Sequence, residues 1–171
     1  MADGHAGPLP GSYWVVPGRL LAGPYPGSWG ETATRERLRS LLEAGVTFVV
    51  DLTEPGEHDA YLLLLSTEAA ALGRKVTHRR LPIPDMDVPS GDHMTAILDT
   101  IDAALADGET VYVHCLGGIG RTGTVIGCYL VRHGLEGQDA LDEIAHLRGG
   151  LVDSPQTEAQ CEMVRTWRNG C

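Results

Sequence analysis

An apolar run, Thr110-Val111-Tyr112-Val113, gives way to His114-Cys115-Leu116-Gly117-Gly118-Ile119-Gly120-Arg121-Thr122-Gly123, and a second apolar run extends to His133. The first run has the length and β-branched content of a buried strand and the second the length of a helix, which places the glycine-rich stretch at a strand-to-helix junction. At a helix N-terminus the first four amides lack intrahelical partners, and glycines leave no side chain in front of them. The amides of this loop should therefore converge on one point and form an anion site. Such a junction requires a sheet whose strands carry their carboxyl ends to a common edge, with helices returning over the faces.

The side chains turn an anion site into a reactive one. A cysteine beside a helix N-terminus and a nest of amides is favoured as its thiolate, which makes Cys115 a nucleophile before any substrate arrives. Arg121, six positions on, offers a planar fork for two phosphoryl oxygens and holds them best as they spread toward a trigonal transition state. The backbone of Leu116, Gly117, Gly118, Ile119 and Gly120 should supply the remaining phosphate contacts. Thr122 is expected to hydrogen-bond the Cys115 sulfur and stabilise it as leaving group when a phosphocysteine is hydrolysed. The pattern predicts a phosphomonoesterase that acts through a covalent phosphocysteine and uses neither cofactor nor metal.

His114-Cys115, five residues, then Arg121-Thr122-Gly123 resembles the signature of the cysteine-dependent protein tyrosine phosphatase superfamily. The Gly117-Gly118-Ile119-Gly120 version is similar to that of its small dual-specificity enzymes, and the likeness spans roughly residues 13–167. The resemblance implies a protein-tyrosine or dual-specificity phosphatase on a single three-layer α/β domain. Attack on phosphorus also leaves an oxygen that needs a proton, commonly from a carboxylic acid on a separate loop. Leu81-Pro82-Ile83-Pro84-Asp85-Met86-Asp87-Val88-Pro89 places two carboxylates on a proline-stiffened loop ahead of Ser90, a helix N-cap. In the resembled family the general acid often precedes a proline by four positions, which favours Asp85, with Pro89, over Asp87. The resemblance also puts Gln156 near the hydrolytic water; a helix-capping turn at Ser154-Pro155-Gln156-Thr157 is an equal alternative.

Other chemistries compete for the same residues. Gly118, Gly120 and Gly123 spell G-x-G-x-x-G, the dinucleotide fingerprint, but that motif needs a following parallel strand, and Gly137 to Arg148 has helical spacing at Leu141, Ile144 and Leu147. No Gly-Lys-Ser/Thr is present for a nucleoside triphosphate. A rhodanese-like sulfurtransferase also cradles a cysteine in amides, yet would not need Arg121-Thr122 with an acid loop. A non-catalytic phosphate-binding module, or a phosphatase of small molecules within the same superfamily, completes the alternatives.

Supporting residues are read more plainly. His114 is expected to be a neutral imidazole that orients the loop through its carbonyls rather than a base. Asp51 and Glu54 follow the run Val46 to Val50, which offers them a place at the same strand-end edge as the site, but solvation of a turn is the preferred expectation. Arg74, Lys75, Arg79 and Arg80 form the one basic cluster, which leads into the acid loop; a solvated strand face is the preferred expectation and attraction of phosphorylated substrates the alternative. Cys128, Cys161 and Cys171 lack the short paired spacings of a metal site; Cys128 is expected as a buried structural thiol. A reactive thiol and no disulfide framework point to a reducing, cytoplasmic compartment.

The 171 residues, 43% apolar, suffice for one well-packed domain without staples. A formal charge of −10 argues against nucleic acid and against anionic membrane surfaces as partners, leaving phosphorylated proteins or small phosphate esters. Met1 to Ser12 reads as a flexible tail without a signal sequence, and residues 13–171 as the catalytic domain. Strands are predicted at Tyr13 to Val16, Arg19 to Ala22, Val46 to Leu52, Lys75 to Leu81 and Thr110 to Val113. Helices are predicted at Glu31 to Ala44, His58 to Leu72, Gly91 to Ala106 and Thr122 to His133, with two more to finish, giving a central, mostly parallel sheet covered on both faces.

Overall fold

The structure, a computed structural model, describes residues 4–150 and 152–168. Five short strands, β1 (Tyr13–Val16), β2 (Leu20–Gly23), β3 (Phe48–Asp51), β4 (Thr77–Arg80) and β5 (Val111–His114), form one sheet in the order β1-β2-β5-β3-β4. All pairings are parallel except β1 with β2, a hairpin around Pro17-Gly18. The predicted three-layer α/β class and mostly parallel sheet are therefore observed.

Six helices cover the sheet: α1 (Glu31–Glu43), α2 (Leu62–Ala71), α3 (Gly91–Ala106), α4 (Gly120–Arg132), α5 (Gly137–Leu147) and α6 (Glu158–Thr166). Alternate strand residues point to opposite faces, so one face buries Leu20, Ala22, Val50, Val111 and Val113 against α3 to α6. The other buries Leu21, Val49 and Tyr112 against Leu38, Leu41, Leu42 and Leu65 of α1 and α2. The chain thus switches faces on either side of β5, and in open α/β sheets the crevice outside the carboxyl end at such a point receives ligands. Helix α4 is followed by α5, not by a strand, which excludes the dinucleotide reading of the glycines.

Two expectations are corrected. Residues 4–12 of the expected tail fold onto the sheet: Leu9 is buried in the α1–α2 core, Ala6 bridges Tyr13, and the Ser12 hydroxyl bonds the Leu9 carbonyl at 2.7 Å. The burial of Leu9 supplies the apolar gain that a Gly- and Pro-containing segment was not expected to have; residues 1–3 lie outside the described residues. Helix α2 begins at Leu62, four residues later than its apolar pattern suggested, because His58 and Tyr61 are drawn into contacts behind the cysteine loop. Among the described residues no helix is long and apolar enough to cross a membrane.

Candidate active site

The loop between β5 and α4 directs its amides inward because its carbonyls are held from outside. Cys115 O accepts from His114 Nδ1 at 2.9 Å, Leu116 O from the Tyr25 amide at 3.0 Å, Gly118 O from Arg148 at 3.1 Å and Ile119 O from the Ser154 hydroxyl at 2.6 Å. Gly118 has φ +73°, and a Cβ there would meet the Gly23 carbonyl carbon at 2.5 Å, so no other residue fits. With its outer groups satisfied by three separate segments and by the adjoining His114, the loop needs no reorganisation to receive an anion.

Cys115, 3% exposed, sits at the floor of a cavity of about 220 Å³ lined also by Leu116, Gly117, Ile119, Gly120, Arg121, Asp85, Met86 and Gln156. Its sulfur accepts the Gly118 amide at 3.2 Å, so that amide faces the thiol rather than the cavity. Thr122 is a correction: its hydroxyl is fully buried and has no hydrogen-bond partner among the described residues, and the donor to sulfur is the Gly118 N–H. The inward turn of the glycine at positive φ brings that amide to the sulfur first. A larger hollow of about 530 Å³, between residues 6–13 and 147–149, holds no thiol, so size does not identify the site.

The guanidinium of Arg121 is buried and fixed. Both its terminal nitrogens bond the Glu57 carboxylate, one at 2.8 Å, and Nη1 also bonds the Ile83 carbonyl at 3.0 Å. This bond holds the Glu57 carboxyl below its usual range. Asp85 Oδ1 stands 3.3 Å from Nη2 as an ion-pair neighbour without a hydrogen bond, while Nε has no hydrogen-bond partner among the described residues. Sequence reasoning missed Glu57. The available signal was that a buried arginine requires a carboxylate, and Glu57 falls in the strand-end loop after β3.

The two loop carboxylates differ in placement. Asp85 lines the cavity and its side chain is 61% exposed, whereas Asp87 is not part of the cavity wall and caps the Val88 amide at 2.8 Å. Between them Met86 has φ +66°, a strained conformation for a side-chain-bearing residue, which turns both it and Asp85 over the pocket. Gln160, also missed, ties this loop down by donating to the Asp87 carbonyl at 3.3 Å and closing a capping box with Thr157 on α6. That box was legible as Thr157-x-x-Gln160. Gln156 lies against Gly120 in the cavity wall, and its backbone N–H donates to Gln160 Oε1 at 3.0 Å in the capping turn.

Behind the loop stands a buried polar cluster. A carbonyl can only accept, so His114 Nδ1 carries the proton toward Cys115 O, and Nε2 accepts from the Tyr61 hydroxyl at 2.6 Å. Burial pushes the His114 pKa down to about 4, which keeps it neutral, as expected. Asp51 is a correction. Rather than solvating a turn it is fully buried, and although burial opposes ionisation, hydrogen bonds from His78 and Thr53 hold its carboxyl well below the usual range. Glu54 remains exposed in the turn. The basic cluster does not surround the cavity: Arg80 pairs with Asp51 at 3.3 Å, Arg74 bonds the Leu42 carbonyl, and Lys75 lies ahead of β4 at the opposite edge. Burial pushes the Cys128 thiol up to about 12, making it inert at neutral pH; Cys171 lies outside the described residues.

Known proteins resemble this chain in sequence and in fold. A family model described as a polymorphic toxin system DSP-PTPase phosphatase matches residues 26–135, which include Glu57, Asp85, Cys115 and Arg121. The chain is 32% identical over 165 residues to the mouse protein tyrosine phosphatase domain-containing protein 1, covering 90% of this chain and 21% of that protein. Among solved structures, a mutant form of Tk-PTP aligns with a TM-score of 0.73 at 28% identity, over 91% of this chain and 93% of the other. Kinase associated phosphatase shares the fold, with a TM-score of 0.71 at 22% identity over 85% and 83% of the two chains. The chain spans less than half the length of the curated relatives it matches.

Proposed function

The chain belongs to the DSP-PTPase phosphatase family, and from that premise we propose that it is a metal-independent phosphomonoesterase of the protein-tyrosine or dual-specificity type. The observation that carries the proposal is the meeting of Cys115, Arg121 and Asp85 on one small cavity whose other walls are loop backbone. In this reading the Cys115 thiolate attacks phosphorus, and the bond to the leaving oxygen breaks as Asp85 donates its proton. Arg121 and the loop amides stabilise the equatorial oxygens. Water, oriented by Gln156, then attacks the phosphocysteine, gives its proton to Asp85 and releases phosphate and the thiolate. The nucleophile is the protein's own sulfur, so no metal-bound water is required. A reducing compartment, the cytoplasm, keeps that sulfur active.

Hydrolysis of p-nitrophenyl phosphate tests the proposal, with orthovanadate as inhibitor and rapid quenching to trap a labelled phosphocysteine. Thiosulfate turnover without phosphate release would assign the chain to sulfur transfer instead.

Glu57→Gln tests the clamp on Arg121. The variant keeps the side-chain size but loses the charge and turns one of the two acceptor oxygens that Arg121 uses into an NH2 donor, and kcat/KM for an aryl phosphate is expected to fall about 10- to 100-fold through a misaligned guanidinium. An unchanged kcat/KM in a folded variant would remove Glu57 from the site.

Substrate class follows from what lines the cavity. Apart from Arg121 its walls carry no cation, and the variable loop positions are Leu116, Gly117, Gly118 and Ile119. A second or third phosphate on the substrate would be desolvated against apolar or acidic groups with no ion pair in return. Phosphotyrosine peptides and aryl phosphates are therefore expected to surpass phosphoinositides and inositol polyphosphates in kcat/KM by about tenfold or more. Phosphoserine and phosphothreonine peptides should fall between, since an alkoxide leaves less readily than a phenoxide. A preference for an inositol polyphosphate at one fixed pH would refute the assignment.

A further inference from the structure

Glu57 clamps Arg121 from the strand-end loop after β3, yet Glu54, Pro55 and Gly56 just ahead of it are exposed and hold nothing in place. The anchor is the next residue. The His58 side chain is 4% exposed and bonded at both ring nitrogens, Nδ1 to the Asp59 carbonyl at 2.8 Å and Nε2 to the Thr53 hydroxyl at 2.7 Å. Its ring stacks on Tyr25 at 4.1 Å. The Tyr25 hydroxyl donates to the same Asp59 carbonyl at 2.7 Å, and the Tyr25 amide holds Leu116 O of the cysteine loop at 3.0 Å. His58 thus ties the segment bearing Glu57 to the loop bearing Cys115.

The hydrogens along this chain of bonds can be counted. A carbonyl only accepts, so His58 Nδ1 carries a proton toward Asp59. The Thr53 hydroxyl has one hydrogen and two close neighbours, Asp51 Oδ1 at 2.5 Å and His58 Nε2 at 2.7 Å. Asp51 also accepts from the Thr53 amide at 2.9 Å, His78 at 3.1 Å and Arg80 at 3.3 Å. Although burial opposes it, these donors keep the carboxyl ionised, so Asp51 has no proton to give. Two bare oxygens 2.5 Å apart would repel, which turns the hydroxyl hydrogen toward Asp51. Nε2 must then supply the hydrogen of its own bond to Thr53, and the ring is an imidazolium. The other titratable groups around the ring suit a cation: Tyr25, Tyr61 and His114 are neutral, and the chain neighbours Glu57 and Asp59 are acidic.

We propose that His58 is a positioning residue of the phosphatase site, an imidazolium tied to buried Asp51 through the Thr53 hydroxyl, which fixes Glu57 in its clamp on Arg121. The inference rests on the phosphatase reading above. A neutral ring with its proton on Nδ1 would leave Nε2 and the Thr53 oxygen facing each other as two acceptors, and the ring would move. Glu57, one residue away, would move with it and turn the guanidinium from its alignment.

A long-range proton–nitrogen NMR spectrum of isotope-labelled protein near neutral pH reads the ring, with the His58 signals assigned by their absence from His58→Phe. Two nitrogens of nearly equal shift, the mark of an imidazolium, are expected; one protonated and one bare nitrogen overturns the proposal. His58→Phe keeps a ring against Tyr25 but loses both bonds, and its kcat/KM for p-nitrophenyl phosphate is expected to fall about tenfold. Thr53→Val should do the same, and Thr53→Ser, which retains the hydroxyl, should keep the wild-type value. Because His58 acts through Glu57, adding His58→Phe to Glu57→Gln should cost at most about a further twofold, whereas losses that multiply overturn the positioning role. Absence of p-nitrophenyl phosphate turnover in the wild type would refute the phosphatase reading and the positioning role with it; turnover that His58→Phe and Thr53→Val leave intact refutes the positioning role alone.

Discussion

Cys115→Ser is expected to lower p-nitrophenyl phosphate turnover by roughly 10⁴- to 10⁶-fold, the scale on which removal of a nucleophile acts. The serine oxygen is smaller than sulfur and almost wholly un-ionised at neutral pH, so it neither reaches phosphorus as well nor attacks as an anion. The substitution should leave the cradle standing. The loop carbonyls are held by Tyr25, Arg148, Ser154 and His114, none of which contacts the sulfur atom, and only the 3.2 Å contact from the Gly118 amide changes partner. The variant should therefore melt within a few degrees of the wild type and still bind a phosphotyrosine peptide. Binding is read by calorimetry and turnover by phosphate release. Retained turnover would sink the covalent mechanism, and loss of both binding and fold would show that the sulfur is part of the scaffold. A chelator should leave the wild-type rate unchanged, and activity lost to it and restored by a divalent ion would point to other chemistry.

The readable part of this site was local. Cys115, Arg121 and the glycines between them lie within one loop, and their spacing carries their meaning because a strand-to-helix turn can dispose six residues in few ways. The strands were readable for the same reason: Val49 and Val50, or Tyr112 and Val113, are apolar in succession because β3 and β5 are buried on both faces. What escaped the sequence were partners brought in by the sheet order. Glu57 reaches Arg121 across 64 positions and Gln160 reaches the Asp87 carbonyl across 73. Neither pairing leaves a periodic trace, since each depends on β3 and β5 being neighbours or on α6 returning to the catalytic edge. Asp51 was misread on the same grounds. A carboxylate after an apolar run is ordinarily at a turn, and only the register of β3 against β4 and β5 surrounds this one with His78, Arg80 and His114.

Asp85 and Asp87, two residues apart on one loop, are separated by the second large effect. Asp85→Asn is expected to reduce kcat by about 10²- to 10⁴-fold for substrates with basic leaving groups, the range that a positioned general acid contributes. The loss should shrink as the leaving oxygen becomes more acidic, so phosphoserine peptides should suffer most and activated aryl phosphates least. Asp87→Asn should change kcat by no more than a few-fold. Its carboxylate caps Val88 outside the cavity, while its carbonyl, which the substitution retains, is what Gln160 grips. The resting contact between Asp85 and Arg121 adds a constraint on KM. At 3.3 Å from Arg121 Nη2 the carboxylate is an ion-pair neighbour of the guanidinium that a phosphate oxygen would also approach, so it competes with substrate for that cation. Neutral asparagine competes less for it. The variant should thus bind phosphate and orthovanadate at least as tightly as the wild type even as kcat collapses, a split that a merely misfolded loop would not produce. Reversal of the two effects, with Asp87→Asn the crippled variant, would move the general acid to Asp87 and require the loop to turn over before catalysis.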